Sequence, residues 1–350
     1  MGRVRRGTDA PLSDHGHGRP MLSAVADSQR RDRIAGALLG VHAGDALGAT
    51  VEFSPWEDIR SRYPDGLREI VGGGPFYWPP GHATDDTDLT RAVLLAYLTP
   101  TDDVVRAAAD HMLAWYDGDW PDRRPGSRPR DIGRATAAGL RRYRHTGDPR
   151  TSGAGPGQAG NGSLMRCVPT ALAVSDRDRR ISESIQISAI THDDPRCTAA
   201  CAAYNEIVAA LLAGATPDDA VAAGLRTAHD IGNAGAGKAV GEAIAAGRQL
   251  KPAELAATGP ASLADAGAGY VLDSLSLAVA AVLDPRPLPD VLADIVRVGN
   301  DTDTNAAIAG GLLGARDGAT AIPARWLSLL QFADEFTAGA AQLSLRDDAG

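Results

Sequence analysis

Two short clusters of hard oxygen ligands, Thr84-Asp85-Asp86-Thr87 and Asp301-Thr302-Asp303-Thr304, sit far apart in the chain. Each immediately precedes a run at helical spacing: Leu89, Val93, Leu94, Leu95, Tyr97 and Leu98 after the first, Ala306, Ala307, Ile308, Leu312 and Leu313 after the second. Both clusters therefore crown helix N-termini, where Thr and Asp ordinarily satisfy orphan amides and suit the helix dipole. A helix end needs one acceptor at its cap. Four carboxylates gathered at two ends repel one another unless cations neutralise them, so the clusters read as the two halves of one metal site. All-oxygen ligand sets of carboxylate, hydroxyl and water suit Mg²⁺ or Mn²⁺, with Ca²⁺ as a further fit. They argue against zinc, which prefers Cys and His.

Two rival motifs are tested directly. An EF-hand loop starting at Asp301 needs Gly at its sixth position and Glu at its twelfth, but Ala306 and Leu312 stand there. An aspartyl-phosphate phosphotransferase places Asp-x-Asp at the end of a buried strand, whereas Val298-Gly299-Asn300 supplies a Gly turn between two helical patterns.

The elements that must position these clusters follow from the rest of the chain. Its 350 residues, 44% of them hydrophobic, allow one large core or two small ones. One domain is favoured because motifs at both ends build a single site. The net charge of -9 and the lack of a basic stripe argue against nucleic-acid backbone as the main partner, although a local basic pocket stays open. No stretch approaches the ~20 continuous apolar residues of a membrane span. The basic start Met1-Gly2-Arg3-Val4-Arg5-Arg6 is followed by Asp9, Pro11, Asp14, His15 and His17 rather than a signal-peptide core, so the expectation is a cytoplasmic enzyme, and a monomer. Three cysteines, Cys167, Cys197 and Cys201, are too sparse for a disulfide framework. Cys197 and Cys201, one helical turn apart, read as core residues rather than half a metal site or a redox pair.

Residues 1–28 are rich in Gly, Pro, Arg, Asp and His and read as a disordered leader, with the folded domain over 29–340 and a flexible tail over 341–350. Ile34, Leu38, Leu39, Val41 and His42 follow helical spacing up to a turn at Gly44-Asp45-Ala46-Leu47-Gly48. Further helical patterns cover 104–115, 132–143, 165–174, 181–190, 198–213, 218–228, 238–248, 271–283, 291–298 and 324–336. Strand-like alternation is almost absent. The expected fold is all-α: a compact, single-domain, orthogonal bundle of about a dozen helices. Residues 117–130, with Trp120-Pro121 and four arginines, form a loop. So does the Gly-rich run 151–160, which leads through Asn161-Gly162-Ser163 into Leu164-Met165-Arg166. If those three residues open a helix, its amides are a plausible cradle for a phosphate or diphosphate.

Taken together, the ordered motifs resemble the ADP-ribosylglycohydrolase family. The segments that carry the likeness are Gly36-Ala37-Leu38-Leu39-Gly40 with Gly44-Asp45-Ala46-Leu47-Gly48, Thr84-Asp85-Asp86-Thr87, Asp131-Ile132-Gly133 and Asn161-Gly162-Ser163-Leu164-Met165-Arg166. Thr191-His192, Gly269-Tyr270-Val271, Gly299-Asn300-Asp301-Thr302-Asp303-Thr304 and a closing Ile322-Pro323 with Trp326 complete it, over about Arg31 to Phe336. The resemblance implies an all-α domain holding two Mg²⁺ or Mn²⁺ ions in a cleft for the distal ribose of ADP-ribose. Thr84, Asp85, Asp86, Asp301, Asp303 and Thr304 match the family's ligand positions. The implied reaction is hydrolysis of the bond between that ribose and a protein side chain, through a transition state with oxocarbenium character.

The same likeness assigns further roles. Asp131 matches a catalytic carboxylate of the arginine-acting members, or is an ordinary N-cap. Glu52 matches a mobile glutamate of the serine-acting members, or is a solvated side chain. Asp303 stands with them as a catalytic candidate. Asn161, Gly162 and Ser163 would contact diphosphate or ribose, as would His192, and Gly299 and Asn300 would border the same ligand. Tyr270 would stack on adenine, or simply pack at a helix start. The chain departs from many relatives at His82-Ala83 and at Asn300.

The expected function is metal-dependent removal of mono-ADP-ribose from arginine on a modified protein, with ADP-ribose as product. O-linked, O-acetyl or nucleobase-linked ADP-ribose are the alternative substrates. A non-catalytic ADP-ribose binder or an immunity-type protein is the alternative class, which the crowded carboxylates disfavour because a pure reader has no need of them.

Overall fold

The computed structural model describes residues 1–2, 19–232, 234–265 and 267–347. In chain order its α-helices are α1 (Arg19–Gly48), α2 (Trp56–Arg62), α3 (Asp85–Leu98), α4 (Val104–Tyr116), α5 (Arg134–Thr146) and α6 (Val168–Ala173). They continue with α7 (Arg177–Ala189), α8 (Pro195–Leu212), α9 (Pro217–Ile231), α10 (Gly235–Gly247) and α11 (Pro252–Thr258). The last are α12 (Val271–Leu283), α13 (Leu288–Arg297), α14 (Thr302–Asp317), α15 (Ala324–Leu327) and α16 (Ala333–Asp347). Among the described residues there is no strand, only the isolated bridges Gly73–Trp78 and Gly160–Tyr270. The all-α expectation holds, with sixteen α-helices among the described residues rather than about a dozen.

The organising contact is α1 against α14, which run antiparallel. Gly36, Gly40, Gly44 and Gly48 recur every fourth residue and form one stripe on α1. A Cβ at these positions would fall inside the van der Waals envelope of the carbonyl oxygens of Gly314, Gly310, Ala306 and Thr302, in that order. Glycine inside a helix costs about 1 kcal/mol against alanine. Here that cost is offset by backbone-on-backbone packing, sealed by the Thr302 hydroxyl donating to the Gly48 carbonyl at 2.8 Å. The segment Gly44–Gly48 is therefore the last helical turn of α1 and not the chain-reversing turn that its glycines suggest.

Other boundaries shift for identifiable reasons. Residues 19–28, assigned by composition to the leader, are the first turns of α1, and Pro20 is tolerated there because a first turn needs no donor. Residues 3–18 of that leader lie outside the described residues. At the other end, 341–347 continue α16 instead of forming a tail, and 348–350 lie outside the described residues. The pattern over 324–336 is broken into α15 and α16, because the Gln331 amide donates to the Gly81 carbonyl at 2.9 Å while its side-chain oxygen accepts from Ala83 N–H at 3.0 Å. Among the described residues no helix is long and apolar enough to cross a membrane. The buried side chains of α1, α3, α8, α12 and α14 belong to one continuous apolar cluster, consistent with one core.

Candidate active site

Both acidic clusters do sit at helix starts, and α1 with α14 brings them together. Thr84 is the N-cap of α3, its hydroxyl accepting from the Asp86 amide at 3.3 Å. Asp301 is the N-cap of α14 but makes no side-chain capping bond. Capping thus accounts for Thr84 and leaves the carboxylates unexplained. Thr84 Oγ1 also donates to Asp86 Oδ2 at 3.1 Å, and Thr304 Oγ1 reaches the same oxygen from α14 at 3.4 Å.

A further carboxylate, that of Asp45, joins them from α1. Asp45 is fully buried, and its Oδ2 accepts from the Thr84 amide at 3.1 Å, the Thr87 amide at 3.2 Å and the Thr87 hydroxyl. Carboxylate oxygens of Asp45, Asp86 and Asp303 lie within 4.8 Å of one another, as do those of Glu52, Asp131 and Asp303. Asp45 Oδ1, Asp86 Oδ1, Asp303 Oδ1 and Glu52 Oε2 are buried with no hydrogen-bond partner. Buried acceptors are rarely left so. An oxygen-only cage with four bare carboxylate oxygens fits hard divalent cations, on the chemistry of its donors alone.

The electrostatics agree. Burial, reinforced by the neighbouring carboxylates, pushes Asp85, Asp86 and Asp303 well above the usual carboxylate range. Burial and repulsion from Asp301 and Asp85 push Glu52 up to about 8, and burial with repulsion from Glu52 takes Asp131 to about 8. Burial also raises Asp45 to about 6 against its Thr donors. Without cations, these groups resist ionisation together.

Part of the cluster lines a cleft of about 590 Å³, while Asp45, Thr84 and Asp86 are buried and outside its lining. Glu52, Asp85, Asp131, Asp301, Asp303 and Thr304 line the cleft together with Asn161, Gly162, His192 and Asn300. The loops are cross-tied: Phe53 N–H donates to the Asn300 carbonyl at 2.7 Å and Asn300 N–H to the Ser54 carbonyl at 2.8 Å, coupling the Glu52 loop to the start of α14. Asn161 Nδ2 donates to Asp301 Oδ2 at 2.7 Å and to Ser274 Oγ at 3.0 Å, anchoring the Gly-rich loop to the acidic end. Gly155 and Gly157 amides donate to Asp193 and Asp194 at 2.6 and 2.8 Å, so the loop is pinned at both ends.

Several expectations change. Asp131 is not an N-cap, since Gly133 holds that position on α5, and its carboxyl lies beside Asp85. Glu52 is not a solvated side chain but is 6% exposed. Leu164-Met165-Arg166 form turns, and α6 starts only at Val168, so no helix N-terminus follows Asn161-Gly162-Ser163. Ser163 points into the core, where its hydroxyl accepts from Ser188 at 2.9 Å and from Cys201 at 3.5 Å. Gly299 packs against the Ser54–Trp56 backbone, and Tyr270 lies under the Arg196 guanidinium, 5.7 Å from its ring centre; neither lines the cleft. The reasoning from sequence missed Asp45, whose signal was the four-residue glycine period around it. It also missed Phe53, 61% exposed with φ +60°, on the cleft wall.

The profile of the family described as ADP-ribosylglycohydrolase matches residues 26–349. The chain is 31% identical over 301 residues to the ADP-ribosyl-dinitrogen reductase glycohydrolase of Rhodospirillum rubrum, covering 85% of this chain and 90% of that one. It is 29% identical over 310 residues to the ADP-ribosylarginine hydrolase Tri1 of Pseudomonas putida (strain GB-1), covering 87% and 75%. A solved structure titled ADP-ribosylglycohydrolase-related protein complex superposes with a TM-score of 0.74 at 31% identity, over 91% of this chain and 99% of that one.

Proposed function

The chain belongs to the ADP-ribosylglycohydrolase family, and from that premise we propose that it is a divalent-cation-dependent hydrolase removing ADP-ribose from arginine side chains of a modified protein. The observation that carries the cation dependence is the set of four buried, unpartnered carboxylate oxygens, two of them on Glu52 and Asp303 of the cleft lining and two on Asp45 and Asp86. Thr84, Asp85, Asp86, Asp301, Asp303 and Thr304, joined by Asp45, would hold two Mg²⁺ or Mn²⁺ ions. Bound there, such ions supply Lewis-acid polarisation of ribose and water oxygens.

The remaining chemistry belongs to side chains of this protein. In the reaction the bond from C1'' of the distal ribose to the guanidine nitrogen breaks, water oxygen adds to C1'', and a proton ends on the departing nitrogen. Asp131 and Glu52 would move those protons, a reading supported by their closeness to Asp303. The buried carboxylates also offset the positive charge that develops on the sugar ring. Asn161, Gly162, His192 and Asn300 would hold the ribose and diphosphate further along the wall, so that orientation supplies much of the rate. Arginine as acceptor is supported by the likeness to an enzyme named for that linkage and by the buried Asp131 beside the cluster.

Purified protein with Asp303→Ala tests the assignment. ADP-ribose release from an arginine-linked substrate is expected to vanish while ADP-ribose binding survives. Release that persists in Asp303→Ala contradicts it.

A further inference from the structure

We propose that Arg166 and Thr191 form a hydrogen-bond relay that holds His192 in the tautomer with its proton on Nε2, so that the cleft wall presents an imidazole N–H donor to an anionic oxygen of the ligand. Arg166 is wholly buried and, among the described residues, has no carboxylate ion-pair partner. Its Nε donates to the Gly162 carbonyl at 3.2 Å, its Nη1 faces Met112 Sδ at 3.6 Å, and its Nη2 donates to Thr191 Oγ1 at 2.6 Å. Thr191 Oγ1 lies 2.8 Å from His192 Nδ1.

A guanidinium only donates. Thr191 Oγ1 is therefore an acceptor toward Arg166, and its own proton is free for one further bond. Given to His192 Nδ1, that proton satisfies both buried atoms and leaves the imidazole hydrogen on Nε2. In the opposite tautomer two donors converge on Thr191 Oγ1, and the buried hydroxyl proton has no acceptor among the described residues, an arrangement that folded proteins avoid. Burial, with the Arg166 charge adding to it, holds His192 down at about 3, so the ring is neutral at ordinary pH.

The geometry also explains why the donor is accessible. His192 is 3% exposed yet lines the cleft, and its Nε2 has no hydrogen-bond partner among the described residues. Gly160 and Gly162 pass its edge: a Cβ on Gly162 would come within 2.9 Å of Cε1 and 3.1 Å of Nε2, and one on Gly160 within 3.6 Å of Nε2. Side-chain-free backbone keeps the N–H bare. Arg166 and Thr191 are positioning residues, and His192 is a fixed donor rather than an acid or base. That the acceptor is a phosphate or ribose oxygen of ADP-ribose rests on the function proposed above; the tautomer itself does not.

The test is long-range ¹H–¹⁵N correlation of the imidazoles in the full chain, with His192 assigned by its loss in His192→Gln. The expected pattern is a bare Nδ1 and a protonated Nε2 in wild type and in Thr191→Ser, and tautomer averaging in Thr191→Val. ADP-ribose affinity by calorimetry should fall at least about tenfold in Thr191→Val and stay near wild type in Thr191→Ser. In turnover the Thr191→Val change should appear in KM more than in kcat. A protonated Nδ1 in wild type overturns the relay whatever the enzyme does, as does a Thr191→Val protein with unchanged tautomer. Should Thr191→Val fail to fold, the wild-type spectrum and Thr191→Ser decide the tautomer alone. A correct tautomer in a protein that binds no ADP-ribose leaves the relay standing and removes the proposed function.

Discussion

Replacing Asp45 by Asn should stabilise the protein in the absence of divalent cation and lose most or all of that advantage in its presence. Asp45 Oδ2 accepts from Thr84 N–H, Thr87 N–H and the Thr87 hydroxyl, whereas Oδ1 is bare, in a carboxylate grouped with those of Asp86 and Asp303. Asn keeps an acceptor oxygen for all three bonds and puts an NH₂ where the bare oxygen was. It therefore removes one charge from a group whose oxygens lie within 4.8 Å, where each ionised pair costs at least about 3.5 kcal/mol at an effective dielectric of about 20. Partial protonation of the cluster reduces this, so a gain of about 1–3 kcal/mol is expected in chelator. With Mg²⁺ or Mn²⁺ at about a hundred times its Kd, wild type gains about 2.7 kcal/mol by linkage, and the variant should lose most of that gain. Thermal unfolding in chelator and in millimolar cation measures both. Destabilisation of equal size in both conditions would show that Asp45 serves only as an anchor for the start of α3 and would refute its place in a cation site.

Other perturbations test other links. Gly48→Ala should force α1 from α14 beside Thr302 and Asp303, costing about 1–3 kcal/mol and weakening cation binding; Gly36→Ala, about 18 Å along α1, should cost as much with cation affinity kept. Equal cation affinity in the two variants would sever the packing from the site. Asp131→Asn should lower kcat on an arginine-linked substrate by about 100-fold or more with ADP-ribose affinity retained, and Glu52→Gln should lower it less; the reverse order would move the principal proton-transfer role to Glu52. Asp194, held down to about 2 chiefly by the Arg196 guanidinium, is lower in the folded than in the unfolded chain. Its stabilisation of about 2 kcal/mol is therefore complete above pH ~4 and lost as pH falls toward ~2. Asp194→Asn should flatten that limb of an acid titration followed by circular dichroism, and an unchanged limb would count against the Asp194–Arg196 pair.

What could be read from the sequence was whatever depends on local pattern. Thr84 and Asp301 announced helix starts because capping chemistry and the following 3.6-residue period agree, and the surplus of carboxylates announced a cation site. Asp45 is hidden because Gly44 and Gly48 on either side of it suggest a turn; they belong to the contact face of α1, and only the presence of α14 makes a glycine-interrupted helix favourable there. The start of α6 was placed too early because Leu164 and Met165 are apolar and buried, yet they pack from turns, with Leu164 and Met165 amides both bonded to the Asn161 carbonyl. Burial of Arg166 against Thr191 leaves no periodic trace at all, since their pairing exists only once separate segments meet.

The most direct measurement of the central claim is ADP-ribose release from a protein carrying arginine-linked ADP-ribose, followed with Mg²⁺ or Mn²⁺, with chelator, and beside a serine-linked substrate. Release from the arginine linkage that stops in chelator and returns with added cation is the expected result. Release that is indifferent to chelator, or confined to the serine linkage, would contradict the cation site in the first case and the arginine assignment in the second.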